Sequence, residues 1–112
     1  MIKSDWKSCV LAKDGQTSAE CNLGQPYRVI IIEVPTVDTA TLTIKTARAS
    51  GGTFRDLYLT DPADGGNNKI ISASGTGGFI WVVEAGAIQY IKIYASAAQT
   101  TAAVTFYIRG AE

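Results

Sequence analysis

Glu33 and Glu84 are the two carboxylates set inside apolar runs, V-I-I-I-E-V at 29–34 and F-I-W-V-V-E at 79–84. Burial in such a run raises a carboxyl's pKa by desolvation, the condition a general acid needs. Both residues, however, sit towards the ends of their runs, where a carboxylate ordinarily points into water, so neither is assigned a catalytic role. A glycosidase would further need a groove lined with aromatics, and 112 residues leave little room to build one. The chain has no His, which removes Ser-His-Asp and Cys-His nucleophilic catalysis. Asp61, Asp64, Asn67 and Asn68 offer oxygen ligands suited to Ca²⁺, but their spacing is not that of an EF-hand, and Asp-Gly turn chemistry accounts for the loop. Gly75, Gly77 and Gly78 have the look of a phosphate-cradling loop, which must open a helix; here a strand follows. Cys9 and Cys21, with no His and no third Cys, cannot complete a zinc site. They read as two reduced thiols, or as a disulfide across a short hairpin if the protein ends up outside the cell. The expectation is a protein with no catalytic residue, no cofactor and no metal.

The aromatic residues carry more. Tyr58, Tyr90, Tyr94 and Tyr107 all fall on the outward phase of the strands read below, and Trp81 lies in a run that is apolar on both faces. Outward tyrosines either stack on sugars or pack between subunits. These four are the candidate interface residues.

The elements that position them are strands. Period-two alternation of β-branched and aromatic residues runs through the chain. Residues 29–34 are nearly continuous apolar, as in a central strand covered on both faces. Thr41–Thr46, Leu57–Thr60, a strand beginning at Ile70-Ile71, Phe79–Glu84, Tyr90–Tyr94 and Val104–Arg109 follow. Weaker runs near Lys7–Ala12 and Ser18–Leu23 bring the count to eight or nine. Asp14-Gly15, Ser50-Gly51-Gly52, Asp61–Asn68 and Ser74–Gly78 are turn signals, and the Ala-rich stretches 85–87 and 95–103 read as loops. Alternation places Ile30, Ile32, Leu42, Ile44, Leu57, Leu59, Ile91, Ile93, Val104, Phe106 and Ile108 inward. The reading is an all-β chain: a two-sheet antiparallel sandwich, jelly-roll-like, in a single domain over 1–112, with 1–27 as N-terminal strands or an arm.

Composition bounds the partners. Lys+Arg and Asp+Glu both number 10, and charged residues are only 18%. A neutral chain has no long-range field to draw it to nucleic acid or acidic lipid, and little to keep its copies apart. The absence of a long apolar segment or a signal-peptide-like start leads to the expectation of a chain made in a cytoplasm.

The run Thr39–Ile44, then Gly51-Gly52-Thr53-Phe54-Arg55-Asp56-Leu57-Tyr58, then Tyr90–Ser96, and finally Gln99 leading to Val104–Ile108 resembles the small virion structural proteins of tailed bacteriophages. There an alternating strand meets a Gly-Gly-Thr-Phe turn into an aromatic strand, and a later Tyr-Ile-Lys-Ile strand leads by a loop to a closing Phe-centred strand. The resemblance covers about 28 to 110. It implies a non-enzymatic subunit that assembles, often as a trimer, and sits on a capsid as a decoration or cement protein or in a head or tail appendage. Its implied partners are itself and the major capsid or another virion protein, and its place is the virion, assembled in the host bacterial cytoplasm. The alternative is a carbohydrate-binding module that uses the outward aromatics.

Overall fold

The computed structural model describes residues 3–60, 67–72 and 74–112. Eight strands follow one another: β1 (Lys7–Leu11), β2 (Cys21–Ala40), β3 (Leu42–Ala47), β4 (Arg55–Asp56), β5 (Tyr58–Thr60), β6 (Asn67–Lys69), β7 (Gly75–Ala95) and β8 (Val104–Ala111). Six of them form one antiparallel sheet in the order β1-β8-β2-β7-β3-β4, and β5 and β6 form a two-stranded ribbon. The all-β class is as expected. The two separate sheets expected of a jelly-roll are not what the hydrogen-bond ladder traces.

The reason lies in β2 and β7, of 20 and 21 residues. Fully extended, either would span roughly 65 Å at about 3.3 Å per residue. The longest dimension of the molecule is 38 Å, so both strands must bend. They bend together, with register shifts between Asn22 and Tyr27, Tyr27 and Val29, and Thr36 and Ala40. On β7 the residues left over are Ala85–Ala87, the stretch that composition reads as a loop. Gly86 and Ala87 there have φ of 70° and 78°, a bulge that turns the strand without ending it. Likewise Gly75–Gly78, a turn signal by composition, opens β7.

Around these bends the sheet curls on itself. The Val29–Glu33 part of β2 pairs with β8, and β8 pairs with β1. The Tyr90–Ala95 part of β7 pairs with β3. Residues 16–19 then connect the two ends: Ala19 N donates to Val10 O at 2.8 Å, Ser18 N to Ile93 O at 2.9 Å, and Ala95 N to Gln16 O at 2.7 Å.

The curl encloses the core. Ile30, Ile32, Leu42, Ile44, Ile91, Ile93, Phe106 and Ile108 are each no more than 1% exposed, and Val104 is also buried. Leu57 is half-buried against the same core. The side chain of Leu59 lies outside the described residues. Cys9 and Leu11 of β1 and Cys21, Leu23 and Tyr27 of β2 join the same core. Gly110 lies so close under the Tyr27 ring that a β-carbon there would overlap it.

Of the buried polar side chains among the described residues, one is sealed in most completely. Gln99 is 1% exposed. Its Oε1 accepts from Asp38 N at 2.7 Å, and its Nε2 donates to Ala97 O at 3.1 Å and Asp38 O at 3.2 Å. Its backbone bonds the turn at Asp14 and Gly15. Gln99 thus ties the loop before β8 to the far end of β2. Gln99→Leu keeps the volume but orphans these groups, so a loss of roughly 1–3 kcal/mol is expected in urea unfolding. A loss under about 0.5 kcal/mol would show that water replaces the amide without cost.

Candidate functional site

The carboxylates in the apolar runs point outward. Glu33 is exposed, and Glu84 faces Arg28 at 3.5 Å with both side chains about 70% exposed. Of the acidic loop, Asp61 and Asp64 lie outside the described residues, and only the backbone of Asn67 and Asn68 falls within them, in β6. Among the described residues, no three His, Cys, Asp or Glu side chains gather closely enough to hold a metal ion.

Cys9 and Cys21 are buried free thiols. Cys9 Sγ lies 3.0 Å from Ser18 Oγ and donates to Ala19 O at 3.2 Å. A hydrogen bond from Cys21 favours the thiolate on Cys9 and pulls its pKa down against the opposing effect of burial. The same bond and burial push Cys21 up.

The four tyrosines do not converge. Tyr107, on β8, lies opposite Ser8 and Glu33 and is 46% exposed. Tyr90 and Tyr94 sit half-buried on the C-terminal part of β7, opposite Ala47 and Thr43. Tyr94 packs under Lys45 Nζ, 5.1 Å from its ring centre, and its hydroxyl accepts from Gln16 Nε2 at 3.3 Å. Lys45 also reaches Asp56 at 2.9 Å, and Lys92 lies 4.6 Å over the Phe54 ring. These contacts make that face a laced cation–aromatic surface. Tyr58 is on the separate ribbon, 52% exposed.

Two outward surfaces stand out instead. The first covers β1, β8, β2 and the N-terminal part of β7. Register sets Tyr107, Glu33 and Ile80 in one row and Arg109, Ile31 and Val82 in the next. Ile80 and Val82 are 55% and 62% exposed, and Trp6 lies 4.8 Å from the Arg109 guanidinium at the margin. Among the described residues no strand pairs with the outer edge of Phe79–Glu84, because β3 reaches only Tyr90–Ala95. An apolar strand with a free edge and a bare apolar face is a pairing surface. Alternation shows that this run is apolar on both sides; only the sheet order shows that it is an edge.

The second surface is a cleft of about 610 Å³ where three bends meet: the β3–β4 turn, the β7 bulge and the β2 bend at Pro26. It is bounded by Arg48, Arg55, Gln89, Tyr90, Ile88 and Pro26. The turn is held from below by Glu20, whose carboxylate accepts from Ser50 Oγ at 2.6 Å and Gly51 N at 2.8 Å. These bonds lower its pKa. Sequence reasoning does not find this cleft, although Arg48 and Arg55 flank the Gly51-Gly52 turn on the two arms of a hairpin, and that symmetry is readable.

The fold has a solved counterpart. The crystal structure of the SPBc2 prophage-derived protein YomS superposes with a TM-score of 0.55, covering 98% of this chain and 95% of that one. The two sequences are 13% identical, so the likeness is one of fold. No protein-family model matches the chain, and no curated protein matches it in sequence. The structural neighbour is thus a phage-derived protein, in keeping with the bacteriophage resemblance of the strand-and-turn pattern.

Proposed function

We propose that the chain is a non-enzymatic structural subunit of a tailed-phage virion, of the capsid decoration or cement type, which assembles with copies of itself and docks on the major capsid or another virion protein. The observation that carries the reading is the edge of Phe79–Glu84, unpaired among the described residues, beside exposed Ile80 and Val82. A lone monomer gains nothing from such a surface and risks aggregation. A second copy would cover it, and Tyr107 and Trp6 in the same area are the residue types that interfaces favour. A net charge of zero opposes association little. The fold shared with a prophage-derived protein supports the phage setting. The trimer follows from the family resemblance and from the three-fold positions that icosahedral shells offer. Assembly takes place in the host cytoplasm, and the working location is the virion.

Light scattering after size exclusion at micromolar concentration tests this. The expected mass is about three times the 11.9 kDa of the chain, and Val82→Lys, which puts a charge on the apolar face, should return it to a monomer. A wild-type monomer would overturn assembly. An oligomer indifferent to Val82→Lys would move the interface elsewhere, with the half-buried Tyr90–Tyr94 face next to be tested.

A further inference from the structure

The chain has four arginines. Arg28 faces Glu84, and Arg109 stacks on Trp6. Arg48 and Arg55 are both exposed, form no ion pair among the described residues, and both line the cleft at the β3–β4 turn. Among the described residues no carboxylate lines that cleft. Glu20, which holds the turn, has its oxygens engaged by Ser50 and Gly51. Among the described residues the site is therefore a concavity carrying two guanidinium groups without an ion-pair partner. Arginine's planar fork matches an oxyanion.

The rest of the lining says what the oxyanion is attached to. Pro26, Ala87, Ile88 and the half-buried Tyr90 supply apolar surface, while Gln89 and Thr53 supply hydrogen-bonding groups at the rim. An aromatic and aliphatic floor with polar groups around it suits a sugar ring, whose faces are apolar and whose edge is hydroxylated. The volume, about 610 Å³, falls in the usual range for small-ligand sites, roughly 300–1,000 Å³. An acidic peptide is a poorer fit. Tyr90 is already paired with both Ala47 and Asn22, and Thr46 with both Ile91 and Arg55, and the edge strand there, β4, is only two residues long, too short a ladder to receive an extended chain. Ala87, a non-glycine residue at φ 78°, lies in the wall. Strained backbone of this kind collects at ligand sites.

We propose that this cleft binds an acidic sugar, a pyranose bearing a phosphate or a carboxylate, with the ring against Tyr90 and Ile88 and the oxyanion between Arg48 and Arg55. The site does not depend on the virion reading. It uses a different surface from the one proposed for assembly.

Titration of ¹⁵N-labelled protein followed by amide shifts tests it, with glucose 6-phosphate, glucuronate, glucose and inorganic phosphate as probes. Glucose 6-phosphate, glucuronate or both should shift Ala47–Arg55 and Ala87–Tyr90 in a saturable way, and which of them does so identifies the oxyanion. Arg48→Gln and Arg55→Gln should each weaken binding roughly tenfold, while Val82→Lys leaves it unchanged. Both arginines are exposed, so an unchanged amide spectrum without ligand checks that the variants fold. Four results would overturn the proposal: no saturable shift with either acidic sugar up to 20 mM (about the weakest affinity worth the name), equal binding of glucose, inorganic phosphate binding as tightly as the sugars, or binding unaffected by both arginine changes.

Discussion

Phe106→Ala is expected to destabilise the protein by roughly 3–5 kcal/mol. Phe106 is 0% exposed and lies on β8, opposite Cys9 of β1, in the interior of the six-stranded sheet. Truncating a fully buried ring removes its transfer free energy and leaves a cavity that the neighbours fill only in part. Those neighbours are held by ladders: β8 is paired on both sides, so its backbone cannot move in to close the gap. Small domains have only about 5–15 kcal/mol in hand, so a large fraction of the stability would go. Urea unfolding read by tryptophan fluorescence measures the loss. A value below about 1 kcal/mol would mean that the side-chain phase of β8 is reversed.

Gly77→Ala is expected to do comparable damage by the opposite route, overfilling instead of emptying. Gly77 has φ of 79°, a conformation that disfavours any β-carbon. A β-carbon there would also overlap the carbonyl oxygen of Pro35 on the neighbouring strand, and Val34 Cγ1 stands 3.2 Å away. A side chain can swing aside, but a carbonyl within a paired strand cannot. The left-handed penalty and the overlap together come to roughly 2–5 kcal/mol, a fall in melting temperature of about 10 °C or more. Gly86→Ala separates the two contributions. Its φ of 70° imposes the same backbone penalty, but nothing lies within 4 Å of the place its methyl group would take, so a loss of only about 1–2 kcal/mol is expected. Equal losses at the two glycines would show that the Pro35 contact yields freely.

What is legible in the sequence is whatever has period two. Ile30 and Ile32, Leu42 and Ile44, Ile91 and Ile93, and Val104, Phe106 and Ile108 alternate, and alternation places each of them correctly because one face of each strand is buried. Continuity is harder. Gly86 and Ala87 read as a loop because glycine and alanine are poor strand formers. They are in fact a bulge carried by the pairing on either side of it, and pairing partners are not local information. The same blindness divides β2 at Gly24-Gln25-Pro26, where Asn22 Oδ1 accepts from Gly24 N at 2.8 Å and the chain bends without leaving the sheet. Two strands therefore read as four, and one curled six-stranded sheet as the two sheets of a sandwich. Gln99 reads only as the residue leading into the last strand; that it is buried depends on Asp38, brought to it by the fold. The two candidate surfaces divide in the same way. The apolar composition of Phe79–Val83 is local, but its being an edge depends on how far β3 extends. Arg48 and Arg55 are individually ordinary until three bends meet beneath them.

The position of β8 bears on the order in which the protein can be made. β8 comes last of the eight strands along the chain, yet it lies between β1 and β2, and it holds the Ser4 backbone N–H through Gly110 O at 2.9 Å. β1 has no ladder partner, and the middle of β2 has only β7, until Val104–Ala111 has left the ribosome. Synthesis at about 5–20 residues per second is slow beside the closing of a hairpin, so β2, β3 and β7 can pair while β1 waits. Throughout that interval the strand that β8 will cover, Val29–Glu33, is a second unpaired apolar edge on the nascent chain. Insertion of β8 is then the step that closes the six-stranded sheet, joining β1 to β2. It is a long-range closure of the kind that puts all-β chains on the millisecond-to-second timescale and leaves them most exposed to aggregation just before they finish.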